Sequence, residues 1–90
     1  MSKVNNIKVV YYVDIDDDTK GALCAIPSDK DMRDKEVVDF IANEIHTAFV
    51  SICHVTINDC KELAKGIAHH EYASVCEYEF GIEEIPLLEC

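Results

Sequence analysis

Four aspartates in the stretch VDIDDDTKG, Asp14, Asp16, Asp17 and Asp18, fall within five residues and the stretch closes on Gly21. Carboxylates at this density can ligate a hard cation, present negative charge to a cationic partner, or keep a turn solvated. A calcium loop places oxygen ligands at positions one, three and five, a glycine at six and a bidentate glutamate at twelve. Asp14, Asp16 and Asp18 match the first three, but Thr19 stands where the glycine belongs and Ala25 where the glutamate belongs. The motif fails at its most demanding positions, so the expectation is a solvated hairpin tip with no bound metal.

Acids from separate elements offer a second chemistry, because magnesium-dependent phosphodiesterases hold their metals with two or three carboxylates around the scissile phosphate. Asp14, Glu44 and Asp59 are the candidates. The order of elements around them is distantly similar to the ribonuclease-H-like fold, which carries acids on its first strand, its first helix and the end of a later strand. That resemblance implies a metal-dependent phosphodiesterase as the alternative function. It covers the middle of the chain and lacks a third hairpin strand. A strongly negative enzyme would also repel its own substrate.

Cysteine and histidine at recurring short spacings hold zinc. Cys53, His54, Cys60, His69, His70 and Cys76 match no standard finger spacing. The five cysteines include no C-x-x-C pair, and reduced buried thiols behave as small hydrophobes. Most are therefore read as core, with Cys90 as an exposed thiol, and a nucleophile paired with His46 or His54 lacks any local motif. Three isolated glycines cannot form a phosphate cradle. No cofactor is expected.

These residues must be positioned by a small number of elements. Ile7, Val9, Tyr11, Val13 and Ile15 alternate with Lys8, Tyr12 and Asp14, which predicts a strand. A turn over residues 16–21 and a short returning strand over residues 22–26, ended by Pro27, complete a hairpin. Ser28 or Asp34 caps a helix running to about Phe49, with Val37, Val38, Ile41, Ile45, Ala48 and Phe49 inward. Residues 50–57 are ambiguous. Five of these eight are β-branched, which favours a strand, yet Val38, Ile41, Ile45, Ala48, Ile52 and Val55 continue a helical spacing. The strand is taken as the main reading.

Asn58 or Asp59, followed by Glu62, caps a second helix with Leu63, Ala64, Ile67 and Ala68 inward. A last strand from Ser74 to Ile82 places Cys76, Tyr78, Phe80 and Ile82 on one face and Glu77 and Glu79 on the other, and Pro86 breaks its continuation. The result is a single α+β domain over residues 1–90, a small two-layer sandwich of order ββαβαβ, its mixed sheet carrying two helices on one face. The alternative order is ββααβ.

The charge balance supplies the strongest functional signal. Eight Lys and Arg against eighteen Asp and Glu give −10 in 90 residues, a field that repels nucleic acid and anionic membrane and attracts basic proteins. No signal peptide or membrane span is evident, so a cytoplasmic protein is expected. The candidate partner-binding residues are Asp14, Asp16, Asp17 and Asp18 at the tip, with Glu77, Glu79, Glu83 and Glu84 on the last strand and tail. Tyr12, Tyr72 and Tyr78 are the aromatic anchors. Small acidic inhibitors of nucleases and of host defence systems, including phage-encoded antagonists, resemble this chain in size and charge. The expectation is a non-enzymatic inhibitor or modulator that docks on the basic groove of a nucleic-acid-handling protein. A homodimer formed by edge pairing of the Ser74 to Ile82 strand is the third reading.

Overall fold

The computed structural model describes residues 5–87, with the side chains of residues 6–86; Cys90 lies outside the described residues. Six elements follow one another as β1 (Asn5–Asp14), β2 (Thr19–Pro27), α1 (Lys35–Cys53), α2 (Ile57–His70), β3 (Tyr72–Val75) and β4 (Tyr78–Leu87). The four strands form one antiparallel sheet in the order β2-β1-β4-β3. The helices pack on one face of it, so the molecule is a two-layer α+β sandwich.

The order is ββααββ rather than ββαβαβ, and the sheet is antiparallel rather than mixed. Residues 50–57 form no strand: α1 continues to Cys53, and α2 begins at Ile57. Packing decided this against local propensity, because Val38, Ile41, Ile45 and Phe49 keep one buried stripe running down α1. The break comes at His54, which takes a left-handed conformation (φ 55°) and donates its N–H to Val50 O at 3.1 Å. Val50, Ile52 and Ile57 are exposed. The single last strand is likewise a hairpin, in which β3 turns at Cys76 and Glu77 into β4. β4 runs on through Pro86 to Leu87, and β2 begins earlier than expected, at Thr19.

Both helices start on capped ends. Asp34 accepts from Glu36 N at 3.1 Å, as expected for α1. The cap of α2 is Thr56 rather than Asn58 or Asp59. Its hydroxyl accepts from Asp59 N, and the Asp59 carboxylate accepts from Thr56 N, each at 3.1 Å, a closed capping box. Thr56→Ala is expected to cost about 1 kcal/mol of stability in chemical denaturation. A cost near zero would mean that water replaces the cap.

β1 is apolar on both faces from Val9 to Val13, so its own alternation cannot choose the covered side. Its neighbour chooses. β4 offers Phe80 and Ile82 opposite Tyr12 and Val10, but Glu79, Gly81 and Glu83 opposite Val13, Tyr11 and Val9. The helices therefore cover Val10 and Tyr12, and the core joins Val10, Ile26, Ala73 and Phe80 to Ile41, Ile45 and Phe49 of α1 and to Cys60, Ala64 and Ile67 of α2. Ile7, Val9, Tyr11 and Val13 line the open sheet face, half-buried. There Lys20 stretches across the Tyr11 ring, 4.3 Å from its centroid, to reach Glu83 at 3.4 Å.

Candidate functional site

Two turns meet at one end of the sheet. In the first, the Asp14 carboxylate folds the hairpin tip by accepting from Asp16 N at 3.0 Å and Asp17 N at 3.4 Å, while Asp14 O accepts from Asp18 N at 2.7 Å. In the second, Cys76 takes a positive φ of 53° and Glu77 follows it. Ile15 N donates to Glu77 O at 2.8 Å and ties the two turns together. Glu77 is therefore not part of a row with Glu79 along one strand. It joins Asp14, Asp16 and Asp17 in an acidic pole assembled from both hairpins.

The aspartates at this pole are close enough to alter the protonation of Glu77. Glu77 holds its proton more tightly than an ordinary glutamate, first through a hydrogen bond with Asp16, then through the charges of Asp16, Asp14 and Asp17. Among the described residues the ion pairs are Lys20–Glu83 and Lys65–Glu62, and neither neutralises the pole.

A folded-state pKa above the unfolded one means that the native chain binds the extra proton. Stability therefore falls as pH rises through that window, and the repulsion is present in full above it. Glu77→Gln is expected to raise the thermal midpoint at pH 7, with the difference closing as pH falls to about 4, the ordinary glutamate range. An unchanged midpoint at pH 7 would mean that the tip relaxes by moving apart.

The other candidate residues are dispersed. Tyr12 and Tyr78 belong to an aromatic cluster around Phe49, with ring centroids 5.3 and 4.8 Å from it, so they support the pole from beneath. Burial, followed by Asp14, Cys53, Glu77 and Tyr12, raises the Tyr78 hydroxyl above its ordinary pKa. Tyr72 is exposed at the start of β3. Glu79 and Glu83 lie on the open sheet face, and Glu84 lies on the helix-facing side, where it accepts from Asn6 Nδ2 at 3.0 Å. The acidic surface expected to run along the last strand is thus split between two faces and the pole.

The alternative catalytic set is not brought together. Asp14 folds the tip, and Asp59 closes the cap of α2. Glu44 sits midway along α1 near Cys24, whose thiol is pushed up to about 11 by burial and then by Glu44. Among the described residues, no three His, Cys, Asp or Glu side chains are arranged to hold a metal ion. The end of α1 does bring Cys53 against Cys76 of the β3–β4 turn. Burial, then a hydrogen bond with Cys76, pushes the Cys53 thiol up to about 11. This lowers its thiolate fraction and its reactivity at neutral pH.

Sequence reasoning missed the apolar component of this end of the molecule. Ile15 at the tip and Ile52 near the end of α1 are 55% and 56% exposed. The sequence carried no signal for it, because alternation places Ile15 with Ile7 to Val13 and helical spacing places Ile52 on the buried stripe of α1. No described helix is long and apolar enough to cross a membrane. No family model, curated protein or solved structure matches the chain.

Proposed function

We propose that the protein is a non-enzymatic binding protein, an inhibitor or modulator that docks its acidic pole on the basic groove of a nucleic-acid-handling protein such as a defence nuclease. The observation that carries this reading is the convergence of two separate turns, which sets Glu77 among Asp14, Asp16 and Asp17 without a neutralising cation among the described ion pairs. Like charges held together oppose folding, whereas a cationic partner turns the same field into attraction. Ile15 and Ile52 add exposed apolar surface at that end. A charged pole speeds encounter and selects the partner, and apolar contacts slow release.

The test is capture of partners from a nuclease-treated lysate on the immobilised protein, eluted by rising salt. Retention of one nucleic-acid-binding protein, released as ionic strength rises, is expected. The Asp16→Lys, Asp17→Lys, Asp18→Lys triple variant is expected to abolish that retention while keeping the wild-type circular dichroism spectrum. Undiminished affinity in the triple variant would remove the tip from the interface.

A further inference from the structure

The positive charge of this acidic chain is also concentrated. The outer groove between α1 and α2 holds a cleft of about 390 Å³ lined by Arg33, Lys35, Val38, Asp39, Lys61, Lys65 and His69. Four of the chain's eight Lys and Arg residues therefore line one concavity in a protein of net charge −10. Arg33 and Lys35 flank the Asp34 cap of α1 on one wall. Lys61, Lys65 and His69 recur every four residues along α2 on the other, and so stack on one helix face at about 6 Å intervals. Like charges at that spacing destabilise a helix. Among the described residues, Asp39 is the only carboxylate in the lining, and of the four cations only Lys65 has an ion-pair partner, Glu62 at 3.6 Å.

We propose that this cleft binds a compact phosphate-bearing anion carrying a di- or triphosphate group, held between Arg33 and Lys35 on one side and Lys61 and Lys65 on the other, with His69 as a further donor. Three features narrow the ligand to that class. The volume is within the range of small-ligand sites, roughly 300–1,000 Å³. Cations on facing walls suit a group with acceptor oxygens on all sides, since Arg presents a planar fork and Lys a mobile point charge. Among the described residues the lining has no aromatic ring on which a base could stack, so recognition falls on the charged group. A long nucleic acid is opposed by the field of the whole chain, whereas a compact anion enclosed by the groove meets chiefly the local cations. Lys35, at the start of α1, lies about 27 Å along the helix from Cys53, which adjoins the acidic pole.

Isothermal titration calorimetry of the full chain with inorganic tripolyphosphate, ATP and adenosine, without divalent cations, tests the assignment. One site is expected for tripolyphosphate and for ATP, and no binding for adenosine. The Lys61→Ala, Lys65→Ala double variant should bind tripolyphosphate roughly tenfold more weakly or worse, the size of lost charged hydrogen bonds. These two side chains are exposed, so folding should be unaffected, and Lys30→Ala, outside the cleft, should bind as wild type. No heat at millimolar tripolyphosphate, several weak sites, or equal weakening by Lys30→Ala would overturn the proposal and leave a solvated basic surface. Association of the free protein in sedimentation at low salt, reversed by the Asp16, Asp17, Asp18 to lysine variant, would overturn it in favour of the acidic tip of a second copy as occupant.

Discussion

Phe49→Ala is expected to remove about 3–5 kcal/mol of stability, most of what a domain of this size holds. Phe49 is 2% exposed and meets three rings edge-on: Tyr12 at 5.3 Å, Tyr78 at 4.8 Å and Phe80 at 5.3 Å. Each such pair is worth about 0.5–1.5 kcal/mol beyond buried area, which places the site at the upper end of the large-to-small range. Phe49→Leu keeps most of the volume and loses the ring geometry, so it should cost less than half as much.

Urea denaturation measures both variants, and an unchanged slope with a lower midpoint would locate the loss in the folded state. A cost below about 1.5 kcal/mol for the alanine variant, the ceiling for volume-conserving swaps, would mean that Ile41 and Ile45 anchor the core without the rings. The effect also reaches the acidic pole. Tyr12 precedes Asp14 by two residues and Tyr78 directly follows Glu77, so Phe49 seats the two strand ends from which both acidic turns spring.

The sequence was most readable where a local physical rule had no competitor. The Asp34 cap, the α1 stripe through Val37, Val38, Ile41, Ile45 and Phe49, and the inward Ala64 and Ile67 of α2 follow from periodicity and capping and stand as expected, whereas Ala48 of the expected stripe is exposed. The reversals were hidden because the residues that make them are not glycines. Asp18, His54, Glu71 and Cys76 all adopt positive φ, although a left-handed residue with a Cβ costs roughly 1–2 kcal/mol. A reader looking for Gly or Pro sees no boundary at His54 or Cys76, and so misplaces the end of α1 and fuses β3 with β4.

The acidic tip was legible as a run of aspartates. Its completion by Glu77 was not, because the contact crosses the sheet from a turn about 60 residues away, a separation at which local pattern carries no information. The basic cleft was invisible for the same reason. Its two walls come from different helices, and in the linear chain its cations are scattered among a larger number of acids.

Gly21→Ala is expected to cost about 1–3 kcal/mol, whereas Gly81→Ala should cost less than about 1 kcal/mol. Neither glycine has a positive φ, so what each provides is room. A Cβ at Gly21 would lie 2.5 Å from Cζ and Oη of Tyr12, and one at Gly81 would lie 2.6 Å from Oη of Tyr11. Contacts that short must be relieved by moving the ring. Tyr12 cannot move freely, since Phe49 and Tyr78 hold it at 5.3 and 6.2 Å. Tyr11 lies on the open face under the Lys20 ammonium and can swing outward for the loss of one exposed cation–π contact, about 0.5–1 kcal/mol. Part of that is returned by the stiffer unfolded chain that alanine gives, about 0.4–1 kcal/mol.

Thermal unfolding should therefore separate the two variants, with a drop of roughly 5–15 °C for Gly21→Ala and a few degrees at most for Gly81→Ala. In a Tyr12→Leu background the Gly21→Ala penalty should largely vanish, because the two positions couple only through the clash. Equal penalties in the two single variants would show that the cluster around Phe49 yields as easily as the open face. The strand ends beneath the acidic pole would then be deformable rather than held.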